Sequence, residues 1–301
     1  MREDFLSVIA ARGDTQIKQN EGLAKYSTFK IGGEARYAIF PENKNALVFA
    51  VAACREFDIP CRVIGCGSNV LFDDGGFSGA VIFTKWVNKT EVSENIIRSD
   101  CGLPLSALST IAKNASLSGL EFAFGIPGSV GGAVYMNAGA YGGEIKDTLT
   151  EVEYFDTETE TLHRAPAAEL ALGYRESIFQ HKPYLLLSAT FALHRGDRAE
   201  IEEKMASNMA ARKDKQPLEY PSAGSAFRRP VGHFAAKLID DAGLRGLSCG
   251  DAQVSEKHAG FIINRGSATS SDVLELCRII KEEVAGRYGV SLETEFIHIK
   301  D

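Results

Sequence analysis

The chemistry in this sequence is concentrated in glycine-rich loops and a few isolated polar residues. In the first loop an apolar pair, Val63-Ile64, leads into Gly65-Cys66-Gly67-Ser68-Asn69. Glycines there let the backbone approach a ligand while successive peptide N–H groups converge, a geometry suited to a pyrophosphate. A Rossmann fingerprint would carry a further glycine at position 70 and open a helix. Val70 stands there instead and Leu71-Phe72 reads as extended, so the loop does not hold a dinucleotide in the Rossmann manner. Taken alone, it fits a ligand-free tight turn equally well. The second loop, Gly125 to Gly143, holds seven glycines in nineteen residues. Each glycine costs conformational entropy on folding, so this density favours a flat ligand lying against bare backbone. A third small-residue turn, Tyr26 to Gly33, carries Lys30.

In the second half the polar residues stand alone. Arg175 follows Gly173-Tyr174 and precedes Ser177-Ile178-Phe179, which reads as a short strand. An arginine so placed is either a surface residue or a fork for a carboxylate. Ser225, between Gly224 and Ala226, suits a helix cap or a hydroxyl turned to a ligand. It lacks the Gly-x-Ser-x-Gly elbow of a hydrolase nucleophile. Glu295 lies in the alternating run Leu292 to Ile299, on one strand face with Ile297 and Ile299. A carboxylate on an apolar face needs a partner or a function, because unpaired burial is costly; the alternative is an edge strand with that face in solvent. Arg212-Lys213-Asp214-Lys215 closes a helix with three cations, which the helix dipole favours.

The elements that must position these residues follow from periodicity. Asn45 to Phe57 predicts a helix with Leu47, Ala50, Val51 and Cys54 on one stripe, and Pro104 opens another through Leu105, Leu108, Ile111 and Ala112. Arg198 to Arg212 predicts a third helix, and Ser270 or Ser271 caps a fourth that stops near Gly286 to Gly289. Strands are predicted at 36–40, 61–64, 80–84, 185–193 and 292–299. Mixed elements at this spacing indicate an α/β or α+β protein. The charge-rich stretch from His194 to Glu203 is the candidate domain junction.

Several motifs, in order along the chain, resemble the UDP-N-acetylenolpyruvoylglucosamine reductase family. They are Thr28-Phe29-Lys30-Ile31-Gly32-Gly33, Gly65 to Leu71, Gly125 to Gly132, Tyr174 to Phe179, Ser222 to Phe227, Val254 to Phe261 and Leu292 to Phe296. The resemblance implies an α+β fold, with a two-lobed FAD-binding domain of the vanillyl-alcohol-oxidase (PCMH) type before a smaller α/β substrate-binding domain. The corresponding division is 1–195, with lobes of about 1–84 and 85–195, followed by 196–301. The family activity is NADPH-dependent reduction of UDP-N-acetylglucosamine enolpyruvate through non-covalent FAD, in peptidoglycan precursor synthesis. By this resemblance Ser225 is the proton donor, and Arg175 and Glu295 bind and polarise the substrate carboxylate. FAD contacts would come from Lys30, Gly65, Gly67, Ser68, Asn69, Gly128, Ser129, Gly131, Gly132 and Asn137. Tyr174, Lys215 and Arg229 would bind substrate, Lys215 at the diphosphate. Other members have an asparagine where Arg229 stands, and no insertion matches their tyrosine-bearing loop, so the chain resembles the subfamily without it.

Bulk properties narrow the alternatives. A net charge of −7 disfavours nucleic acid or an anionic membrane as partner. No apolar run approaches the ~20 residues of a membrane span, and Glu3-Asp4 before the short run from Phe5 makes a poor signal peptide. The expectation is therefore a cytoplasmic protein, monomeric or weakly oligomeric. The six cysteines form no Cys-x-x-Cys pair and the six histidines no His-x-x-x-His, so reduced structural thiols and no metal site are expected. No histidine precedes His163, which disfavours an oxidase that tethers its flavin through histidine near the loops. Keeping Arg175, Ser225 and Glu295 together disfavours a catalytically dead nucleotide-binding module.

Overall fold

The computed structural model describes residues 4–301. The chain forms two compact units, one from Met1–Gln19, Tyr37–Cys66 and Ala80–Ala211, the other from Asn20–Arg36, Gly67–Gly79 and Arg212–Asp301. The division at 195/196 follows the chain linearly. The observed units instead recruit two early segments, which carry Lys30 and residues 67–69, into the C-terminal unit.

In the first unit, α1 (Phe5–Ala10) is capped by Asp4, whose carboxylate accepts from the Ser7 N–H at 2.8 Å. α2 (Lys44–Glu56) starts at Asn43, whose side-chain oxygen accepts from the Ala46 N–H at 2.9 Å. It buries Leu47, Ala50, Val51 and Cys54, the stripe its spacing predicts. These side chains pack with Phe5, Tyr37, Ile39 and Ile82, on a sheet ordered Thr15–Gly22, Glu34–Pro41, Phe77–Phe83, Cys61–Ile64. A five-stranded antiparallel sheet is ordered Thr161–Pro166, Leu149–Asp156, Tyr184–Ala192, Ile96–Asp100, Thr90–Ser93. α3 (Leu105–Asn114) and α4 (Val130–Tyr135) place Leu108, Ala112, Val130 and Val134 in one core with Val152, Ala189 and Phe191. α5 (Arg198–Lys215) is polar and buries only Ile201 and Met205.

A charged network ties α2 to the five-stranded sheet. Glu153, buried on its strand, accepts from Lys44 Nζ at 2.6 Å and Arg98 at 2.7 Å, with Arg164 at 3.5 Å. Burial raises the Glu153 pKa, but the Lys44 bond and the charges of Lys44, Arg98 and Arg164 outweigh it, so the carboxyl sits below its ordinary range. Glu153→Gln keeps the shape and removes the anion these cations share; a loss of about 2 kcal/mol is expected. A carboxyl with a lowered folded pKa contributes stability above its unfolded value of about 4.3 and loses it as pH falls through the folded value. The melting-temperature gap between parent and variant should therefore close on acidification below about pH 4. A gap that stays constant with pH would show that charge is not what Glu153 contributes.

In the second unit, α7 (Ser270–Tyr288) packs against α6 (Ala235–Asp241) and against a three-stranded antiparallel sheet, Ser248–Cys249, Ala252–Val254 and Ile262–Asn264. Leu238, Val254, Ile262, Leu276 and Ile280 share a core with Phe29 and Leu71. α7 is capped by Thr269 rather than by Ser270 or Ser271. Thr269 Oγ1 accepts from the Asp272 N–H at 3.0 Å, and Asp272 accepts from the Thr269 N–H at 2.9 Å, a reciprocal capping box. The N–H groups of Ser270 and Ser271 instead bind the Asp74 carboxylate. Gly289, at φ 67°, ends the helix. Ile297–Ile299 pairs in parallel with Val70–Phe72.

Two predicted strands are not formed as expected. Leu292 to Ile299 is interrupted: Thr294 makes an isolated bridge to Phe227, Phe296 lies at a bend, and regular pairing begins only at Ile297. The segment after Arg175 forms a short 3-10 turn, Ile178–Gln180, rather than a strand.

Candidate active site

In the first unit the two glycine loops touch. A Cβ on Gly65 would collide with Ser129 Oγ, and one on Gly131 would lie 2.9 Å from the Cys101 Cβ. Close packing within the protein therefore accounts for glycine at both positions. Ser129 is buried as the N-cap of α4, and its hydroxyl accepts from the Gly132 N–H at 3.2 Å. The Gly131 N–H donates to the Cys101 carbonyl at 2.7 Å. The amides of Gly131 and Gly132 are thus engaged inside the protein. Asn137 is tied down more fully. It is buried, its Nδ2 donates to Glu144 Oε2 at 3.0 Å and to the Gly173 carbonyl at 2.8 Å, and its Oδ1 accepts from the Lys146 N–H at 3.0 Å. Both N–H groups and one lone pair of the oxygen are thus engaged within the protein.

Arg175 stands in a tight turn closed by hydrogen bonds between Gly173 and Glu176, N to O at 3.1 Å and 3.4 Å in the two directions. Its φ of 57° is left-handed. Its guanidinium carbon lies 5.2 Å from the centre of the Tyr174 ring, and it donates to the Gly139 carbonyl at 3.5 Å. Tyr174 is exposed.

In the second unit, main-chain bonds bring three predicted residues onto neighbouring segments. Ser225 bridges to Phe261, and the Ala226 N–H donates to Gly260 at 2.8 Å. The Ala226 carbonyl accepts from the Glu295 N–H at 2.9 Å, while Asn69 Nδ2 donates to the Glu295 carbonyl at 3.2 Å. No helix starts at Ser225, since α6 begins at Ala235, so the capping alternative is removed. Glu295 is half-buried, and the bend after it places Phe296 in the core, so the shared face with Ile297 and Ile299 is not formed. Gly67, at φ 64°, is required because a Cβ would collide with the Tyr26 carbonyl. Lys30 lines an open cavity of about 560 Å³ with Gly32, Gly33, Asp74 and Ser271. Lys215 ends α5 and is exposed; Lys257 caps a carbonyl of that turn, donating to Lys213 at 2.7 Å. Arg229 is exposed, 4.9 Å from the Phe234 ring.

The N–H groups of Cys66, Gly67, Ser68, Gly128 and Ser129 bond to no described residue, so these stretches fit a pyrophosphate or a flavin edge. Burial raises the Cys66 thiol pKa, which keeps it an unreactive neighbour. All six cysteines are free thiols, and among the described residues no group of three or more His, Cys, Asp or Glu could hold a metal. Gln180 and Glu144, which contact the Arg175 turn or its support, carry no sequence signal, because a lone amide in a 3-10 turn has no period or motif.

Residues 35–165 match the FAD binding domain family, and residues 216–299 match the C-terminal domain of UDP-N-acetylenolpyruvoylglucosamine reductase. A reductase of that name from Agathobacter rectalis is 49% identical over 292 residues, 92% of each chain. Another, from Clostridium novyi, is 45% identical over 280 residues, 93% of this chain and 91% of the relative. The crystal structure of the Thermus caldophilus reductase matches with a TM-score of 0.77 at 36% identity, covering 94% of this chain and 98% of that one. The fold is α+β and is shared with that reductase. On this combination of coverage, identity and fold, the chain belongs to the UDP-N-acetylenolpyruvoylglucosamine reductase family.

Proposed function

We propose that this chain reduces UDP-N-acetylglucosamine enolpyruvate to UDP-N-acetylmuramate, using NADPH and non-covalently bound FAD, in peptidoglycan precursor synthesis. The observation that carries this reading is the junction at which Asn69 of a glycine loop bonds to Glu295, and Glu295 to the residue after Ser225. Bound FAD supplies hydride transfer from NADPH to the terminal vinyl carbon of the substrate. That addition leaves an enolate-like charge beside the substrate carboxylate. Arg175 and Glu295 bind and polarise that end, with the guanidinium offsetting the developing charge. The Ser225 hydroxyl gives its proton to the charged carbon and regains one from solvent. A serine is a feeble acid in water; it suffices here because the carbon is a strong base held against a cation.

Lys30, Gly65, Gly67, Ser68, Asn69, Gly128 and Ser129 are the FAD contacts in this reading, with Gly131, Gly132 and Asn137 completing the FAD site by shaping the loop behind them. Tyr174, Lys215 and Arg229 serve the sugar nucleotide. Functionally, 1–195 is the FAD-binding part, in lobes of about 1–84 and 85–195, and 196–301 the substrate-binding part. No helix among the described residues is long and apolar enough to cross a membrane. In this reading the protein is a cytoplasmic monomer or weak oligomer, and its charge of −7 argues against nucleic-acid or anionic-membrane partners.

Purified protein is expected to be yellow, to release intact FAD on denaturation, and to oxidise NADPH only when the enolpyruvyl sugar nucleotide is added. A colourless protein that FAD does not reconstitute, or flavin that stays attached after denaturation, overturns the reading.

A further inference from the structure

The turn that carries Arg175 is held by amide side chains that the mechanism above does not use. Arg175 occupies a left-handed conformation, φ 57°, which a non-glycine residue keeps only where its surroundings over-determine it. Two carbonyls of the turn are clamped. Asn137 Nδ2 donates to the Gly173 carbonyl at 2.8 Å, and Gln180 Nε2 donates to the Arg175 carbonyl at 3.0 Å. Each clamp is anchored a second time. Asn137 also bonds Glu144 and the Lys146 N–H, and Gln180 also bonds the Tyr135 carbonyl at 2.9 Å, at the end of α4. Asn137 itself is 1% exposed, so its side chain is shielded from water. The Glu144 carboxylate lies close enough to the guanidinium for the Arg175 charge to help lower its pKa, after Lys146 and Asn137.

We propose that Asn137 and Gln180 are positioning residues: they fix the base of Arg175 so that its planar fork meets the substrate carboxylate at one distance and one angle. This rests on the reading of Arg175 given above. A bidentate guanidinium–carboxylate pair is directional, and a displacement of about an ångström at a binding group can cost a hundredfold. Asn137 thus serves the substrate end of the reaction from within the loop whose glycines suggest a flavin.

The test compares two ligands of the oxidised holoenzyme by calorimetry. UDP-N-acetylmuramate carries the carboxylate; UDP-N-acetylglucosamine shares the nucleotide and sugar without it. Asn137→Asp keeps the shape but turns an acceptor toward the Gly173 carbonyl. It is expected to weaken UDP-N-acetylmuramate roughly ten- to a hundredfold and UDP-N-acetylglucosamine by less than about twofold, with FAD content retained. Gln180→Met, which keeps length without a donor, reads the same question should Asn137→Asp not fold. A folded variant that weakens both ligands equally, or neither, overturns the proposal. Arg175→Gln separates the two levels. If it too leaves the carboxylate preference intact, the reading of Arg175 fails. If it alone abolishes the preference while the amide variants keep it, only the positioning role fails.

Discussion

Ser225→Ala is expected to leave reduction of the bound flavin by NADPH nearly unchanged and to slow reoxidation by the enolpyruvyl substrate by roughly a hundred- to ten-thousand-fold. That corresponds to about 3–5 kcal/mol of barrier. The first step asks no proton of the protein, whereas the second leaves a carbanion that a placed acid must quench. A structural role for the hydroxyl predicts otherwise, and the capping version is already removed because no helix begins within nine residues after Ser225. What remains structural at this site is main chain, the Ser225–Phe261 bridge and the Ala226–Gly260 bond, which alanine preserves. Stopped-flow absorbance of the flavin follows each step in turn. Equal slowing of both steps, or of neither, would place the acid elsewhere.

Glu295→Gln is expected to lower turnover by roughly a hundredfold or more with little change in melting temperature. The ties of Glu295 to Ala226 and Asn69 run through its own N–H and carbonyl, so the amide side chain leaves them intact. Steady-state rate measured beside thermal melting separates the possibilities. A silent substitution would mean a solvated carboxylate, since surface changes away from special features usually cost little. Proportional loss of rate and stability would mean a structural one.

Much of the site was legible because it is written in local strings. Gly65 to Asn69 had to be a loop between two short extended runs, and α2, α3 and α7 announce themselves through buried stripes. What could not be read depends on partners distant in sequence. Asn137 is one more small polar residue in a glycine-rich stretch until Gly173, 36 residues on, is seen to bind it. Leu292 to Ile299 alternates as a strand should, yet the Phe296 ring packs edge-on to Phe29 at 6.5 Å, and the chain bends to place it there. Thr90–Ser93 and Thr161–Pro166 are mostly exposed, so no apolar period marks them. Gly65 and Gly131 were legible as special positions, but their packing against Ser129 and Cys101 was not, because a sequence cannot distinguish room for a ligand from room for a neighbouring side chain.

The weave of the second unit bears on how the protein is made. Asn69 and Glu295 are 226 residues apart, and Val70–Phe72 waits for Ile297–Ile299 as its pairing strand. On the ribosome the four-stranded sheet of residues 15–83 can form early, but Asn69 and Val70–Phe72 must remain without their C-terminal partners until Ile299 has been synthesised. Such late, long-range closure is slow and leaves strand edges open to other nascent chains. Glu295 is therefore among the last residues to arrive, and a chain stalled before it displays Asn69 and Ala226 without the residue that bonds to both.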